Sequence, residues 1–495
     1  MTIASLAADR IHPRRAWDWL MAPPTQGFRL AIFGLYALHI VTGLANHAMW
    51  LDEVQHWLIV RDSTSLGELI HNLAYEGHPL GWYLLIWPFR LLGRQPEWIQ
   101  VVQGACALGA AALLLWRGPF GRLELALLLL SSPLLFEYAI KSRSYSLGDL
   151  ILFAFCAAFV ARRSPLLLAV LLALLVNVHA MFGCIALGGL ACVAVQRWRD
   201  DGIRRIIRRS DAPIFVVLAL GLAIAIAVTR QPADSGVAIG WRFDLDFDHV
   251  RRTASNLGAF ITDRVALDTS AFVHMGLGIL LCLIILCRAR RAPVAAAFFG
   301  VAVAALMTFL HAKYGFEVWH RSLLFIILVA AVWLGRGTQG PDGPALVPRI
   351  LFAMVLVAQA WHGIRVAIYD RTVDYSAARA TARALVNAGL GSAPLFVLRD
   401  HLSATVVAYL QAPKAFYGSG MREGSFVIWD KARLAPVDIH AVIERAAATP
   451  NAVVLDCVGN PPFGPVPDPR LVELWRGYGH IESCIIYRFR TADQR

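Results

Sequence analysis

The chain has 495 residues, 58% of them hydrophobic and 16% charged, with a formal net charge of +12. A soluble globular protein carries roughly 25% charged residues, so this is an integral membrane protein. The positive balance does not point to nucleic acid, because the arginines sit in short clusters between apolar runs, where topology signals belong.

The N-terminal stretch "MTIASLAADRIHPRRAWDWLMAPPTQGFRL" is basic but lacks a short apolar region followed by a small-residue cleavage site, so the first apolar run is expected to be a retained span. A crossing helix needs about 20 apolar residues. Runs of this kind lie at 30–49, 96–116, 123–140, 147–161, 165–181, 182–196, 212–229, 271–287, 293–310, 322–335 and 349–367. A further run, "PLGWYLLIWPFRLLG" (79–93), either crosses or lies along the surface. The arginines decide. With a cytoplasmic N-terminus and 79–93 outside the count, Arg117, Arg122, Arg162, Arg163, the cluster at 197–209, Arg288–Arg291, Arg336 and Arg349 all fall on the cytoplasmic side. Eleven spans result, with residues 368–495 outside.

Between spans one and two, at 50–95, "MWLDEVQHWL" places Asp52 and Glu53 at the outer mouth of the first span. Ser65 and Glu68 have capping-box spacing. Leu66, Leu69, Ile70 and Leu73 recur at i, i+3, i+4 and i+7, which predicts a short amphipathic helix in the interface. His56, Arg61, Glu76 and His78 add to the cluster. Two carboxylates at a helix end can simply meet water, but ionisable residues at membrane depth are functional candidates by default. After the third span, "KSRSYSL" offers Arg143 with Tyr145 beside it, and Lys141 as a weaker choice. Arginine's fork fits phosphate oxygens bidentately; the competing reading for Arg143 is an interface anchor reaching headgroups. Asp149 stands near the same helix end, placed to pair with one of these cations. The acid-rich stretch 230–270 is too long for a simple connector and is expected to be partly ordered. In "HAKYGFEVWHRS" (311–322), His311, Lys313, His320 and Arg321 offer a second phosphate clamp. No CxxC or HExxH pattern occurs, so no metal or other cofactor is inferred.

The outer tail changes character. "APLFVLRD", "GSFVIWD", "NAVVLDC" and "SCIIYRF" read as short strands and "PVDIHAVIERAAA" as a helix, predicting a small α/β domain. Cys457 and Cys484 lie in it and are available to pair if it faces an oxidising compartment.

The first-loop "DE", the "GHPLGWYLL" of a surface-lying segment and the "SRSYSL" after the third span together resemble the membrane-embedded glycosyltransferases of the GT-C superfamily. The family 39 enzymes, with the protein O-mannosyltransferases and the lipid A aminoarabinose transferases, are the nearest in pattern. The resemblance spans residues 30–335. It implies an all-α polytopic membrane domain (1–367) with about eleven transmembrane helices, followed by the extracytoplasmic α/β domain at 368–495. It also implies a location in the bacterial inner membrane. The implied activity is transfer of a hexosyl or pentosyl group from a polyprenyl-phosphate donor to an acceptor glycan, lipid or protein. Asp52 falls on the family's catalytic acidic position. The usual "HPP" reads His78-Pro79-Leu80 here, so the second proline is missing, and the late "RH" reads His320-Arg321. Beside this reading, Asp52 is the expected base of an inverting displacement, Glu53 its companion on sugar or acceptor hydroxyls, and His78, Arg143, Tyr145, Lys313, His320 and Arg321 the substrate-binding set. A lipid-sugar flippase, a transporter, or a polysaccharide polymerase or ligase are the alternatives. Transporters, however, tend to show internal repeats with charged groups near the midplane, and neither is seen in this sequence.

Overall fold

The computed structural model describes residues 20, 22–202, 208–237, 240–262, 271–287, 289–315, 317–338, 346–411, 414–418, 420–459 and 463–490. The first long helix, α1 (Gln26–Asn46), opens on Thr25, whose side chain accepts from the Phe28 N–H at 3.3 Å. Four short helical pieces follow: α2 (Leu51–Arg61), α3 (Leu66–Asn72), α4 (Gly81–Ile86) and a 3₁₀ turn over Trp87–Leu91. The segment at 79–93 is therefore a six-residue helix with a short extension, about 9 Å of α-helix at 1.5 Å per residue, far too short to cross. Its Trp82, Tyr83 and Ile86 are buried, while Leu84, Leu85, Leu91 and Leu92 stay exposed.

The bundle continues with α5 (Glu97–Arg117) and α6 (Arg122–Leu130). The run read as one span at 123–140 is broken. Helix α6 stops at Ser131 and a π-helical turn follows over Pro133–Glu137. The break packs on Gly363, where an added Cβ would lie 2.2 Å from the Leu130 carbonyl oxygen. Next come α7 (Tyr145–Val160), α8 (Pro165–Val176), α9 (Ala180–Asp201) and α10 (Ala212–Thr229). Then α11 (Phe247–Thr262) shows that the acid-rich stretch is partly helical, its residues 263–270 lying outside the described set. Helices α12 (Ala271–Cys287), α13 (Pro293–Phe309), α14 (Val318–Thr338) and α15 (Leu346–Thr372) complete the membrane part. Among the described residues seven helices are long and apolar enough to cross a membrane, and three shorter apolar helices accompany them. With the broken run, every apolar stretch predicted from the sequence is helical.

The last helix leads into a domain of α16 (Ala378–Asn387), α17 (Asp400–Ala408), α18 (Ile439–Ala447) and six strands. The strands are β1 (Pro394–Val397), β2 (Lys414–Tyr417), β3 (Arg422–Glu423), β4 (Val453–Val458), β5 (Leu471–Gly477) and β6 (Ser483–Phe489). They form one sheet in the order β3-β2-β1-β4-β6-β5, with β1 parallel to β2 and β4. Strand β6 pairs antiparallel with β4, putting Cys457 opposite Cys484, and the two are disulfide-bonded. The stretch "GSFVIWD" is not a strand. The Val427 N–H and C=O pair instead with the Gln55 side-chain amide, at 2.9 and 2.8 Å. Its backbone is thus satisfied by the first loop rather than by a neighbouring strand. Helix α17 packs on α2, so the sheet domain and the Asp52 helix share one apolar core containing Trp57, Leu58, Val406 and Val407.

Candidate active site

The site begins where α1 ends. His47 caps that helix through its own N–H to the Gly43 carbonyl at 2.8 Å. Its ring then bridges two carboxylates, with Nε2 2.9 Å from Glu53 Oε2 and Nδ1 2.7 Å from Asp370 Oδ1. Glu53 also accepts from the Trp50 N–H at 3.2 Å and the Ser142 N–H at 2.6 Å, and its side chain is wholly buried. The two acidic neighbours thus part company. Glu53 turns inward and ties together α1, α2, the loop before Arg143 and the end of α15; Asp52 faces a cavity.

That cavity, about 220 Å³, is lined by Asp52, Gln55, His56, Glu76, His78 and Arg143, with Lys313, Tyr314, Gln231 and Trp429 among the remaining walls. Arg143 Nη1 lies 3.3 Å from Asp52 Oδ2. The guanidinium is held from behind by two rings, Tyr145 at 5.3 Å and Trp319 at 5.2 Å, contacts of the cation–π kind. Lys313 Nζ sits 5.7 Å from the Trp241 ring centroid.

The turn leading to His78 depends on two glycines. Gly77 has φ +66 and sits against the Gln231 side chain and the Tyr314 hydroxyl, a conformation an L side chain rarely adopts. Gly81 donates to the Asn177 carbonyl at 2.8 Å, and a Cβ there would lie 2.5 Å from that same oxygen. This close approach sets the His78 ring 5.2 Å from His179 and 5.7 Å from His56. The series continues from His179 to Tyr145 at 5.0 Å and from Tyr145 to Tyr138 at 4.7 Å. Burial, and then the Arg143 charge, lower the His78 pKa to about 4, so the ring is neutral at pH 7. Burial and the neighbouring His78 push His56 well below its ordinary value as well.

Glu76, like His56, lines the cavity although the sequence alone assigns it no role. It accepts from Gln55 Nε2 at 2.7 Å and Trp429 Nε1 at 3.1 Å. Burial raises its pKa to about 7, against those two hydrogen bonds, with Asp52 adding to the rise. The signal available in the sequence was its place two residues before His78. Trp429 and Gln231 carried none, since they come from distant segments.

Of the residues singled out in the sequence, Asp52, His78, Arg143 and Lys313 share the cavity. Glu53, Tyr145, His320 and Arg321 are not in its lining. The phenol ring of Tyr145 backs Arg143 and stacks on Tyr138. His320 is spent locally: Nε2 accepts from Trp319 Nε1 at 2.9 Å, which leaves Nδ1–H to donate to the Gly315 carbonyl at 3.3 Å. Arg321 is partly buried one residue further along α14. Lys141 is paired with Glu137 at 2.8 Å, both buried, and belongs to a second, larger cavity of about 920 Å³ lined also by Trp50, Trp319, Tyr375 and His480. Asp149 is buried, and neither carboxylate oxygen has a hydrogen-bond partner among the described residues, so the pairing expected from the sequence is not made. No group of three or more His, Cys, Asp or Glu suited to a metal ion occurs among the described residues.

No protein-family model matches the chain, and no curated protein matches it. Solved structures do. The structure is similar to ArnT from Cupriavidus metallidurans bound to undecaprenyl phosphate, with a TM-score of 0.51 and 14% identity over 94% of this chain and 98% of that one. ArnT of the same organism in the apo state gives a TM-score of 0.55 and 15% identity over 93% and 98%. The chain has a GT-C fold. The GT-C resemblance read from the first loop thus extends over nearly the whole length, the small C-terminal sheet domain included.

Proposed function

We propose that this GT-C-fold protein is a glycosyltransferase that moves a sugar from a polyprenyl-phosphate carrier to an acceptor hydroxyl at the outer face of the membrane. The observation that carries the reading is the convergence of Asp52, Arg143, Lys313 and His78 on one cavity, with Arg143 3.3 Å from Asp52. A carboxylate and a phosphate-binding cation are what a single displacement needs side by side. The undecaprenyl phosphate bound to the similar ArnT structure supports a carrier of that chemical class.

In this reading the acceptor O–H gives its proton to Asp52 as its oxygen attacks the anomeric carbon. The bond from that carbon to the phosphate oxygen breaks, and the electron pair leaves with the polyprenyl phosphate. Arg143 and Lys313 meet the charge that grows on the leaving oxygen. Asp52 acts as base, an effect usually worth 10²–10⁴-fold. Glu53 is committed to His47, Trp50 and Ser142, which leaves Asp52 as the member of the pair available for proton transfer and favours inversion. Tyr145 serves Arg143 rather than the substrate, and His320 holds Trp319, whose ring also backs Arg143.

The sidedness rests on two observations. Arg117, Arg122, Arg336 and Arg349 gather at the end of the bundle opposite Asp52, as cytoplasmic arginines do. The Cys457–Cys484 disulfide fits an oxidising compartment. The plasma (inner) membrane, with Asp52 and residues 368–495 outside, satisfies both.

The test is a reconstituted full-length protein given polyprenyl-phosphate sugars and an extract of envelope acceptors, with release of free polyprenyl phosphate as readout. Acceptor-dependent release that vanishes in Asp52→Asn is expected. Carrier movement across the bilayer without cleavage would overturn the reading in favour of a flippase.

A further inference from the structure

At the far end of α1 from Asp52, about 30 Å away along a 21-residue helix, a pocket of about 370 Å³ is lined by Arg29, Arg336 and Arg349, with Glu124 as its only carboxylate among the described residues. Glu124 is already committed. It takes both arms of Arg336, at 2.7 Å each, and the Gly121 N–H at 2.9 Å. Arg336 also lies against the stacked rings of Phe120 and Phe352, 5.5 and 5.7 Å from their centroids. Neither Arg29 nor Arg349 has an acidic partner among the described residues, and Arg29 Nε is buried without a hydrogen-bond partner there. Among the described residues the pocket therefore presents two guanidinium groups without an acidic partner, one of them partly desolvated.

A second cavity adjoins it. Arg336 and Arg349 also line an apolar groove of about 120 Å³ formed by α12, α13, α14 and α15, with Leu281, Ile285, Leu328, Val332, Phe352 and Val355 among its walls. A polar pocket with unspent positive charge thus continues into a hydrocarbon groove, and the two share their arginines. A free phosphate or nucleotide would use the first and ignore the second.

We infer that this is a binding site for an anionic phospholipid of the leaflet opposite the active site, its phosphate between Arg29 and Arg349 and an acyl chain in the groove. The site is independent of the proposed transfer reaction. Arginine suits it because its fork binds phosphate oxygens bidentately, and basic side chains near a membrane surface attract anionic lipids.

The full-length protein is reconstituted in mixed phosphatidylglycerol–phosphatidylcholine bilayers, re-extracted in mild detergent, and its retained lipid counted by native mass spectrometry. Wild type is expected to enrich phosphatidylglycerol about tenfold or more over its bulk fraction. The double variant Arg29→Gln/Arg349→Gln should fall to near parity. Arg162→Gln/Arg163→Gln removes equal charge from an exposed loop at the same end and should retain the enrichment. Arg336 is left intact because its pairing with Glu124 is structural. Unchanged thermal unfolding of the double variant in detergent checks its folding, and the single Arg349→Gln change at an exposed helix start should lose part of the enrichment even if the double variant misfolds. Equal loss in both double variants, no enrichment in wild type, no loss in Arg349→Gln, or displacement of the lipid by millimolar inorganic phosphate would each overturn the assignment.

Discussion

Two charged cavities lie close together at the Asp52 end of the bundle. Leu51 and Asp52 line the smaller and Trp50 the larger, while Trp319 lines the larger and carries Arg143 of the smaller on its ring. In the larger, Lys141 and Glu137 close on each other at 2.8 Å with 6% and 3% of their side chains exposed. Phe136, Trp319 and Tyr375 surround the ammonium at 4.9–5.8 Å. In the smaller, Asp52 and Arg143 meet at 3.3 Å and Asp52 keeps 31% of its side chain open. Both pairs join opposite charges near the membrane. Both pairs also line a cavity, but the Lys141–Glu137 pair is nearly sealed while Asp52 stays accessible, and that accessibility, rather than charge itself, separates a structural pair from a reactive one.

If the open pair is the reactive one, Asp52→Asn should lower turnover by about 10²–10⁴-fold, the range expected of a lost base, with folding and insertion intact. Turnover is measured with a lipid-linked donor, and wild-type rates in this variant would erase the distinction. The sealed pair should answer in stability. Lys141→Met leaves Glu137 as a buried charge without its partner, a change that typically costs about 3–5 kcal/mol. Thermal unfolding in detergent should register that loss, and Lys141→Met/Glu137→Leu should recover most of it. A Lys141→Met protein of normal stability but no activity would instead make the larger cavity part of the reaction.

The sequence carried the helices because apolar runs report burial directly. It could not report the break at Ser131, since a π-turn inside an apolar stretch leaves composition unchanged. In the sheet domain, β1, β4 and β6 were legible as continuous apolar runs in buried positions. Strand β5 was hidden because it is the last strand in the sheet order, with polar residues facing out and a register shift between Glu473 and Trp475 that interrupts the alternation. In the site, Asp52, His78 and Arg143 were readable as charge that an apolar chain keeps at one face. The direction each side chain takes was not. Glu53 looks like the twin of Asp52 until His47 and Asp370, 323 residues apart, are brought together on its far side.

The open pair can be sharpened at Arg143. Arg143→Lys keeps the charge but loses the fork and the stacking on Tyr145 and Trp319. If the guanidinium meets charge that grows as the phosphate leaves, kcat should fall by roughly ten- to a hundredfold with a smaller change in donor KM, the signature of an interaction that strengthens in the transition state. A headgroup anchor would tolerate lysine, so a fully active Arg143→Lys enzyme would shift the phosphate contact to Lys313.

The smallest effect should come from Glu76, and it is read through pH. Its pKa is raised to about 7, so it is largely protonated at pH 6 and largely ionised at pH 8. Ionisation puts a second negative charge in the cavity where the phosphate must leave. The rate should therefore fall as pH rises through 7, by about tenfold at most by pH 8, one unit above the pKa. Glu76→Gln keeps an oxygen to accept from Gln55 and Trp429 and cannot ionise, so it should hold near-wild-type activity at pH 6 and flatten this limb. Stability gives an independent sign. Relative to an ordinary value of 4.5, the native state keeps a proton on Glu76 that the unfolded chain has lost, so this group's contribution falls as pH rises from 4.5 to 7. His78, lowered from 6.5 to about 4, works the other way: the unfolded chain binds the extra proton, and its contribution rises with pH between 4 and 6.5. Glu76→Gln removes one falling contribution and leaves the others unchanged, so the unfolding temperature of this variant should climb more steeply, or fall less, than wild type between pH 5 and 7. Parallel pH curves for the two proteins would mean that Glu76 is ionised throughout and leave Asp52 beside a permanent second charge.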